Sequence, residues 1–446
     1  PCAPDHPPPT RTGLPDGNAA PAGFTAGALT VPRAHATPLT AHLLKSPSLV
    51  LTLAFLTTVA SLTVDLSLPA IPAMADALDT SLSRGQQIVG VFMAGMAVGQ
   101  IPAGLFSDRL GRLPTLYAGM TLFVIAAAAT AIAQSIELLL LARFIQGIGA
   151  ASAVVLSRAV VRDIASGKEA AKLMSLMTMI FTAAPVIAPT FGALLVAQWG
   201  WRAPFIAITA CGFLMIFAIR RNIVETHRPV VVEHPLRQLA SSFGEFFSHR
   251  QSIFGLLLLL LPPAGFMSMI AVSSALTVEI YGYSVEAYGL IFACAGLSIL
   301  AGSIANRVLV SHLDPLQLIM ISVFCIFSAS AQLAVIAWLD QASFWWLWSC
   351  VCLFLATIPI LLSNTLVLAL DPLPKIAGVA SSIIGTLQNL AGASGALFGA
   401  AIYDGSVRRS VLIIAGVGVA ATVVFLLRPL IAPGPFVHHP AELARD

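Results

Sequence analysis

Charge is what this chain has least of. Only 10% of its 446 residues are Asp, Glu, Lys or Arg, against roughly a quarter in an ordinary soluble domain, while 58% are hydrophobic. A water-soluble fold of this length could not hide that much apolar surface. The net charge of +3 is small and scattered over connecting segments, so it leaves no electrostatic footprint for nucleic acid. Paired cysteines are also lacking. Cys211, Cys294, Cys325, Cys350 and Cys352 fall inside apolar runs and Cys2 lies in the N-terminal stretch, which implies neither a disulfide framework nor a metal site. The nine histidines, His438 and His439 among them, read as solvated residues of loops and tails. No apolar run carries a clustered nucleophile and base or a set of metal ligands, which argues against a membrane enzyme. No repeated filter sequence or charged ring argues for a channel.

What the chain has in abundance is membrane-length apolar sequence. Twelve runs of roughly 20 residues or more can cross a bilayer, at about 49–74, 86–106, 115–133, 138–160, 173–198, 203–219, 252–278, 288–310, 316–338, 344–370, 376–402 and 411–431. The prolines at Pro262, Pro263 and Pro359 make the edges of their spans the hardest to place, because each removes a helix hydrogen bond. Residues 1–46, rich in Pro, Ala, Gly and Thr, read as a disordered cytoplasmic tail without the features of a secretory signal. The polar segment 222–250 divides an N-terminal six-helix bundle, 47–221, from a C-terminal one, 251–431, and 432–446 is a second cytoplasmic tail. A surface helix is expected at about 236–247 of the linker. Cations including Arg109, Arg112, Arg158, Arg162, Arg220, Arg221 and Arg307 fall in loops on one side, with only Arg84, Arg202, Arg408 and Arg409 on the other. The positive-inside rule therefore puts both termini in the cytoplasm.

Three groups of residues carry the chemistry. Gly104-Leu-Phe-Ser-Asp108-Arg109-Leu-Gly111-Arg112-Leu-Pro114 is a charged knot between the second and third spans; so tightly bracketed, it must be a short turn at a bilayer surface, with two glycines letting the backbone reverse. Asp65 lies inside the first span and Arg143 inside the fourth. A charge in a spanning helix costs roughly 2.5 to 3.5 kcal/mol on insertion scales, so its default reading is functional. For Asp65 the competing reading is an interfacial carboxylate reaching water at the outer end of its span. Counting residues at 1.5 Å each puts Asp65 and Arg143 about 8 to 14 Å below the outer surface, so they can share one level of the bundle.

Several stretches, in order along the chain, resemble the major facilitator superfamily. The knot resembles its loop signature G-x-x-x-D-R-x-G-R-[K/R], with Leu113 in place of the last cation. Arg143-Phe-Ile-Gln146-Gly147-Ile-Gly149-Ala-Ala151 resembles its fourth-helix motif, and Ala184-Pro185-Val-Ile-Ala188-Pro189-Thr-Phe-Gly192-Ala193 its antiporter motif, with Ala replacing Gly at two places. Asp65-x-x-Leu68-Pro69-Ala70-x-Pro72, Gly95-x-x-x-Gly99-Gln100, Arg162-Asp163-Ile164 and Ser363-Asn364 with Ala377-Gly378-x-Ala380-Ser381-Ser382 are similar to the bicyclomycin-resistance (Bcr/CflA) type of drug exporter.

The resemblance implies an all-α membrane protein of twelve transmembrane helices in two pseudo-symmetric six-helix bundles. It implies a multi-pass transporter of the bacterial inner membrane, not an enzyme. The activity would be proton-coupled efflux of small amphipathic drugs by alternating access, driven by the proton gradient without a cofactor. Its partners would be a small-molecule substrate, protons and lipid, with no nucleic acid, and a monomer is expected. An exporter of a sugar, amino acid or related metabolite on the same fold is the alternative. Asp65 and Arg143 are then the proton-coupling pair, Arg143 stabilising the carboxylate once its proton leaves. Gly104, Asp108, Arg109, Gly111, Arg112 and Asp163 form a conformational latch. In it Asp108 faces the start of the eleventh span around Gly378 to Ser381 and Arg112 pairs with Asp163, both only while the inner ends are closed. Pro185, Pro189 and Gly192 mark the antiporter-motif helix. Phe266, Met267, Met269, Asn364 and Gln388 are candidate walls of the substrate cavity, although such residues also serve as packing. Gly395 and Gly399 read as helix packing.

Overall fold

A computed structural model describes residues 47–165, 167–226, 235–339, 343–374 and 376–433. The two expected tails lie outside the described residues, apart from Ala432 and its neighbour at the end of the last span. Among the described residues every element is a helix. The twelve long ones are α1 (Pro47–Ser67), α2 (Leu82–Leu110), α3 (Arg112–Ala131), α4 (Ile136–Ile164), α5 (Gly167–Trp199), α6 (Ala203–Asn222), α7 (Arg250–Ala275), α8 (Val285–Leu309), α9 (Pro315–Leu339), α10 (Phe344–Leu370), α11 (Ala377–Ile402) and α12 (Val407–Leu426). Eleven are apolar enough to be recognised as spans by hydropathy alone. The other, α11, is 26 residues long, or about 39 Å at 1.5 Å per residue. It is less apolar because it carries Gln388, Asn389 and many small residues, and it packs against helices of both halves.

The packing repeats with a shift of six helices. In the first set α2 packs on α4, α3 on α4 and α6, and α1 on α4, α5 and α6. In the second, α8 packs on α10, α9 on α10 and α12, and α7 on α10, α11 and α12. The seams between the sets obey the same rule, α2 against α11 and α8 against α5. This repeated pairing is the pseudo-two-fold symmetry of two six-helix bundles. Phe213, Leu214 and Phe217 on α6, with Phe324 and Trp338 on α9, stay exposed; in water this would be a large unpartnered apolar surface, and lipid is the medium that satisfies it.

Proline acts where a helix can yield. Pro69 and Pro72 convert the end of the first span into a 3-10 turn, Leu68–Ala70, followed by a short helix, Ile71–Ala77. Pro262 and Pro263 leave α7 continuous, as Pro359 leaves α10. The linker does contain a helix, Pro235–Ser248. Its Phe246 is buried in an apolar cluster with Leu256 and Leu259 of α7 and Ile383 and Ile384 of α11, so this helix is docked onto the second set. Arg158, expected among the loop cations, stands inside α4.

Candidate functional site

The charged knot is tighter than its sequence suggested. Gly104 is helical and faces open space, and the whole reversal between α2 and α3 falls on Gly111, at φ +102°. A left-handed φ of this kind favours glycine. Arg112, the first residue of α3, is the hub. Its Nε donates to Asp163 at 2.9 Å, and its Nη1 donates to Ser107 at 2.7 Å and to Asp108 at 2.6 Å. Asp163 also accepts from the Thr226 hydroxyl at 3.1 Å. Glu225, just after α6, was not foreseen. Its two carboxylate oxygens accept the backbone N–H groups of Arg112 and Leu113, each at 2.9 Å, and so cap the N-terminus of α3, where an anion is favoured.

These contacts tie the ends of α2, α3, α4 and α6 together within the first set. Asp108 does not reach the start of α11 in this state, a contact expected only while the inner ends are closed: its Oδ1 is engaged by Arg112 one helical turn away and its side chain is 55% exposed. Nor does the Arg112–Asp163 pair bridge the two halves, since both residues belong to the first set. The group that approaches the start of α11 is Arg162, whose guanidinium lies 3.5 Å from where a Cβ on Gly378 would stand. Arg109 is exposed in the last turn of α2.

Asp65 and Arg143 are both buried, at 3% and 0% exposure. They form no ion pair with each other; those among the described residues are Arg84–Glu137, Arg112–Asp108, Arg112–Asp163 and Arg409–Asp404. Arg143 instead donates from Nη2 to Ser67 and from Nη1 to Gln146, both at 3.0 Å. Its guanidinium lies over the rings of Phe92 and Phe205, 5.0 and 5.6 Å from their centroids, and its Nε has no hydrogen-bond partner. Ser67 is two residues beyond Asp65 on α1, a separation that turns the two onto different faces of the helix. The pair thus shares a level but not a contact. The position of Arg143 is set by close helix approach: a Cβ on Gly95 of α2 would strike the carbonyl of Phe144, and one on Gly147 would strike that of Phe92.

Asp65 accepts from the Ser61 hydroxyl at 2.9 Å. With Thr57 a further turn back, Thr57, Ser61 and Asp65 form one stripe along α1. The antiporter-motif helix lies beside it. A Cβ on Gly192 would meet the carbonyl of Leu66, while Gly289 and Gly296 of α8 admit the backbone of α5 around Pro189 and Pro185. The three motif residues are buried, and they let α5 wedge between α1 and α8.

The Thr57 end of the stripe reaches a cavity of about 350 Å³ between the two sets. Thr57 of α1, Arg158 of α4, Met174 and Phe181 of α5, Ser363 of α10 and Gln388 of α11 are among its walls. At the opposite end of the molecule the halves are sealed: Ser83 donates to the Ala400 carbonyl at 2.6 Å and Thr190 to that of Gly289 at 3.0 Å. Of the expected wall residues only Gln388 lines this cavity. Asn364 is tied to Asn306 and to its own helix, at 2.8 and 2.7 Å, Met269 is in the core, Met267 fills the space beside Gly392, and Phe266 packs against the same core. Gly395 and Gly399 pack α11 onto Ala264 and Ser268 of α7.

Comparison with known proteins gives this arrangement its context. The profile of the Major Facilitator Superfamily matches residues 53–396. The bicyclomycin resistance protein homolog of Haemophilus influenzae is 30% identical over 346 residues, covering 77% of this chain and 86% of that one. Multidrug resistance protein D of Escherichia coli is 28% identical over 347 residues, covering 78% and 86%. Among solved structures, a D-xylose–proton symporter superposes with a TM-score of 0.70 at 17% identity, covering 86% of this chain and 99% of that one, a likeness of fold. A match across more than two thirds of the sequence, together with the twelve-helix repeat, settles the family: this multi-pass membrane protein belongs to the Major Facilitator Superfamily of transporters, and its resemblance within it is to the bicyclomycin-resistance type.

Proposed function

We propose that this protein exports small amphipathic drugs across the bacterial inner membrane in exchange for protons, by alternating access. Both termini and the linker then lie in the cytoplasm, on the side where the cations cluster. The observation that carries the reading is the polar stripe on α1, which joins a buried carboxylate to a central cavity. Asp65 lies about 12 Å along the helix from Thr57, at 1.5 Å per residue. The similarity to proteins named for bicyclomycin and multidrug resistance supports the choice of substrate class. So does the cavity wall, in which Met174, Met177, Phe181, Leu259, Leu362 and Leu366 outnumber the polar residues.

In this scheme the proton and the drug compete through Asp65. Asp65 takes up the proton in one state of the cycle, and its hydrogen bond with Ser61 fixes its rotamer. Loss of the proton leaves an anion that must be offset, and Arg143, on the same level with one unbonded donor, is the cation available to do so. The two ligands therefore stabilise different conformations, which is sufficient for exchange. Gly192 and the two prolines let α5 move against α1 and α8 without breaking a hydrogen-bond ladder, because the proline carbonyl partners are already free.

Asp65→Asn tests the assignment in proteoliposomes with an imposed pH gradient. Proton-driven efflux is expected to fall to the leak rate, while counterflow of drug against drug persists. Full retention of gradient-driven efflux would remove Asp65 from the coupling step.

A further inference from the structure

The central cavity is electrically unbalanced. Among the described residues Arg158 is the one charged residue on its wall, and no Asp or Glu lines it. The side chain of Arg158 is exposed, and it takes part in none of the ion pairs among the described residues. Three carboxylates of the first set are committed elsewhere, and Glu169, in the first turn of α5, does not line the cavity. Asp163 is held by Arg112 and Thr226, Asp108 by Arg112, and Asp65 by Ser61. The charged neighbour that bears on Arg158 is Arg162, of like sign and one turn further along α4. Beside it, the hydroxyls of Ser157 and Thr57 bond to each other at 3.0 Å, so α4 and α1 meet there and hold Arg158 at a fixed point of the wall.

We infer that the cavity selects molecules carrying one anionic group on an apolar body, and that Arg158 is the residue that pairs with that group. An arginine without a counter-charge is stable on the wall of an open cavity because water solvates it. Closing the cavity around a substrate removes that water. A carboxylate, sulfonate or acidic phenol on the substrate replaces it, and the planar guanidinium can bind such a group through two parallel N–H bonds. The six Met, Phe and Leu side chains take the apolar body. A cationic amphiphile would meet a like charge with no wall carboxylate to receive it, so the same residue rejects the wrong class. This inference deepens the efflux reading and rests on it for the transport step, though binding can be measured without transport.

The test uses the purified full chain in lipid nanodiscs and three probes of one shape: 1-naphthaleneacetate, its neutral amide and the cationic 1-naphthylmethylammonium. Equilibrium dialysis gives the three affinities for the native protein, Arg158→Gln and Arg158→Lys. A charge-assisted pair in a partly dry site corresponds to about tenfold or more in affinity. The native protein is therefore expected to bind the acetate at least about tenfold more tightly than the amide, with the cation weakest. Arg158→Gln should bring the acetate and the amide to within about threefold of each other, while Arg158→Lys, which keeps the charge but not the fork, should fall between. Equal binding of anion and cation by the native protein would overturn the inference, as would an unchanged anion preference in Arg158→Gln. If Arg158→Gln fails to fold, Arg158→Lys decides alone, because an anion preference equal to the native one would deny the guanidinium its role. Proton-driven transport of the acetate reports separately on the efflux reading. Its absence alongside Arg158-dependent binding of the acetate would refute export and leave the anion site standing.

Discussion

Removing Arg112 tests how the basic end of the first bundle is held together. Its side chain is 11% exposed and that of Asp163 is 19%, whereas Asp108 is 55% exposed. The bond to Asp163 is thus a largely desolvated, charge-assisted one, for which about 1.5 to 3 kcal/mol is typical. The bond to Asp108 lies near the surface and should contribute about 0.5 kcal/mol. A double-mutant cycle separates the two. Arg112→Ala and Asp163→Ala, with the double variant, should give a coupling of about 2 kcal/mol, and the cycle with Asp108→Ala about 0.5 kcal/mol. Reversible unfolding in mixed detergent micelles supplies the free energies, with circular dichroism at 222 nm as the readout. Arg112→Lys serves as a control, since an ammonium cannot reach both carboxylates in the geometry of the guanidinium fork and should lose about half of the larger coupling. If the coupling to Asp163 is no larger than that to Asp108, burial does not set the strength of these pairs and the hub assignment is wrong.

Two further variants probe neighbouring features. Gly111→Ala should destabilise the protein by about 1 to 3 kcal/mol, because an L residue is strained at that backbone geometry and its methyl would stand 2.7 Å from Glu225 Oε2; unfolding within about 0.5 kcal/mol of native would show that the turn relaxes freely. Ser67→Ala removes an acceptor from the fully buried Arg143 and should cost about 1 to 3 kcal/mol while leaving drug binding intact. A loss below about 0.5 kcal/mol, measured by the same unfolding assay, would mean that water or Asp65 takes over the vacated donor.

Much of this protein follows from its sequence alone, because a bilayer imposes one simple rule. Backbone polar groups have no water in the hydrocarbon core, so each long apolar run must be a helix. Periodicity hardly matters, and counting residues is enough to find twelve spans and divide them into two sixes. The family motifs were legible because their chemistry is local: Gly111 must turn, Gly95 and Gly147 must admit a neighbouring backbone, and Asp65 and Arg143 are rare charges in apolar runs. Even α11, the least apolar span, was recognisable, since its glycines and amides still left a run of sufficient length.

Contacts between distant segments could not be read in this way. Glu225 caps α3 from 113 residues away, and no local pattern marks it out from other linker acids. Arg158 sits at the inner edge of the expected fourth span, and only the fold shows α4 continuing past it with a cavity on that side. Asp65 and Arg143 share a depth that residue counting can provide, but the rotation of α1 decides which face each one meets, and it places Ser67 rather than Asp65 against the guanidinium. Length and hydropathy fix how far a helix runs through a membrane. Its rotation and its neighbours depend on close packing between helices, which only the assembled fold specifies.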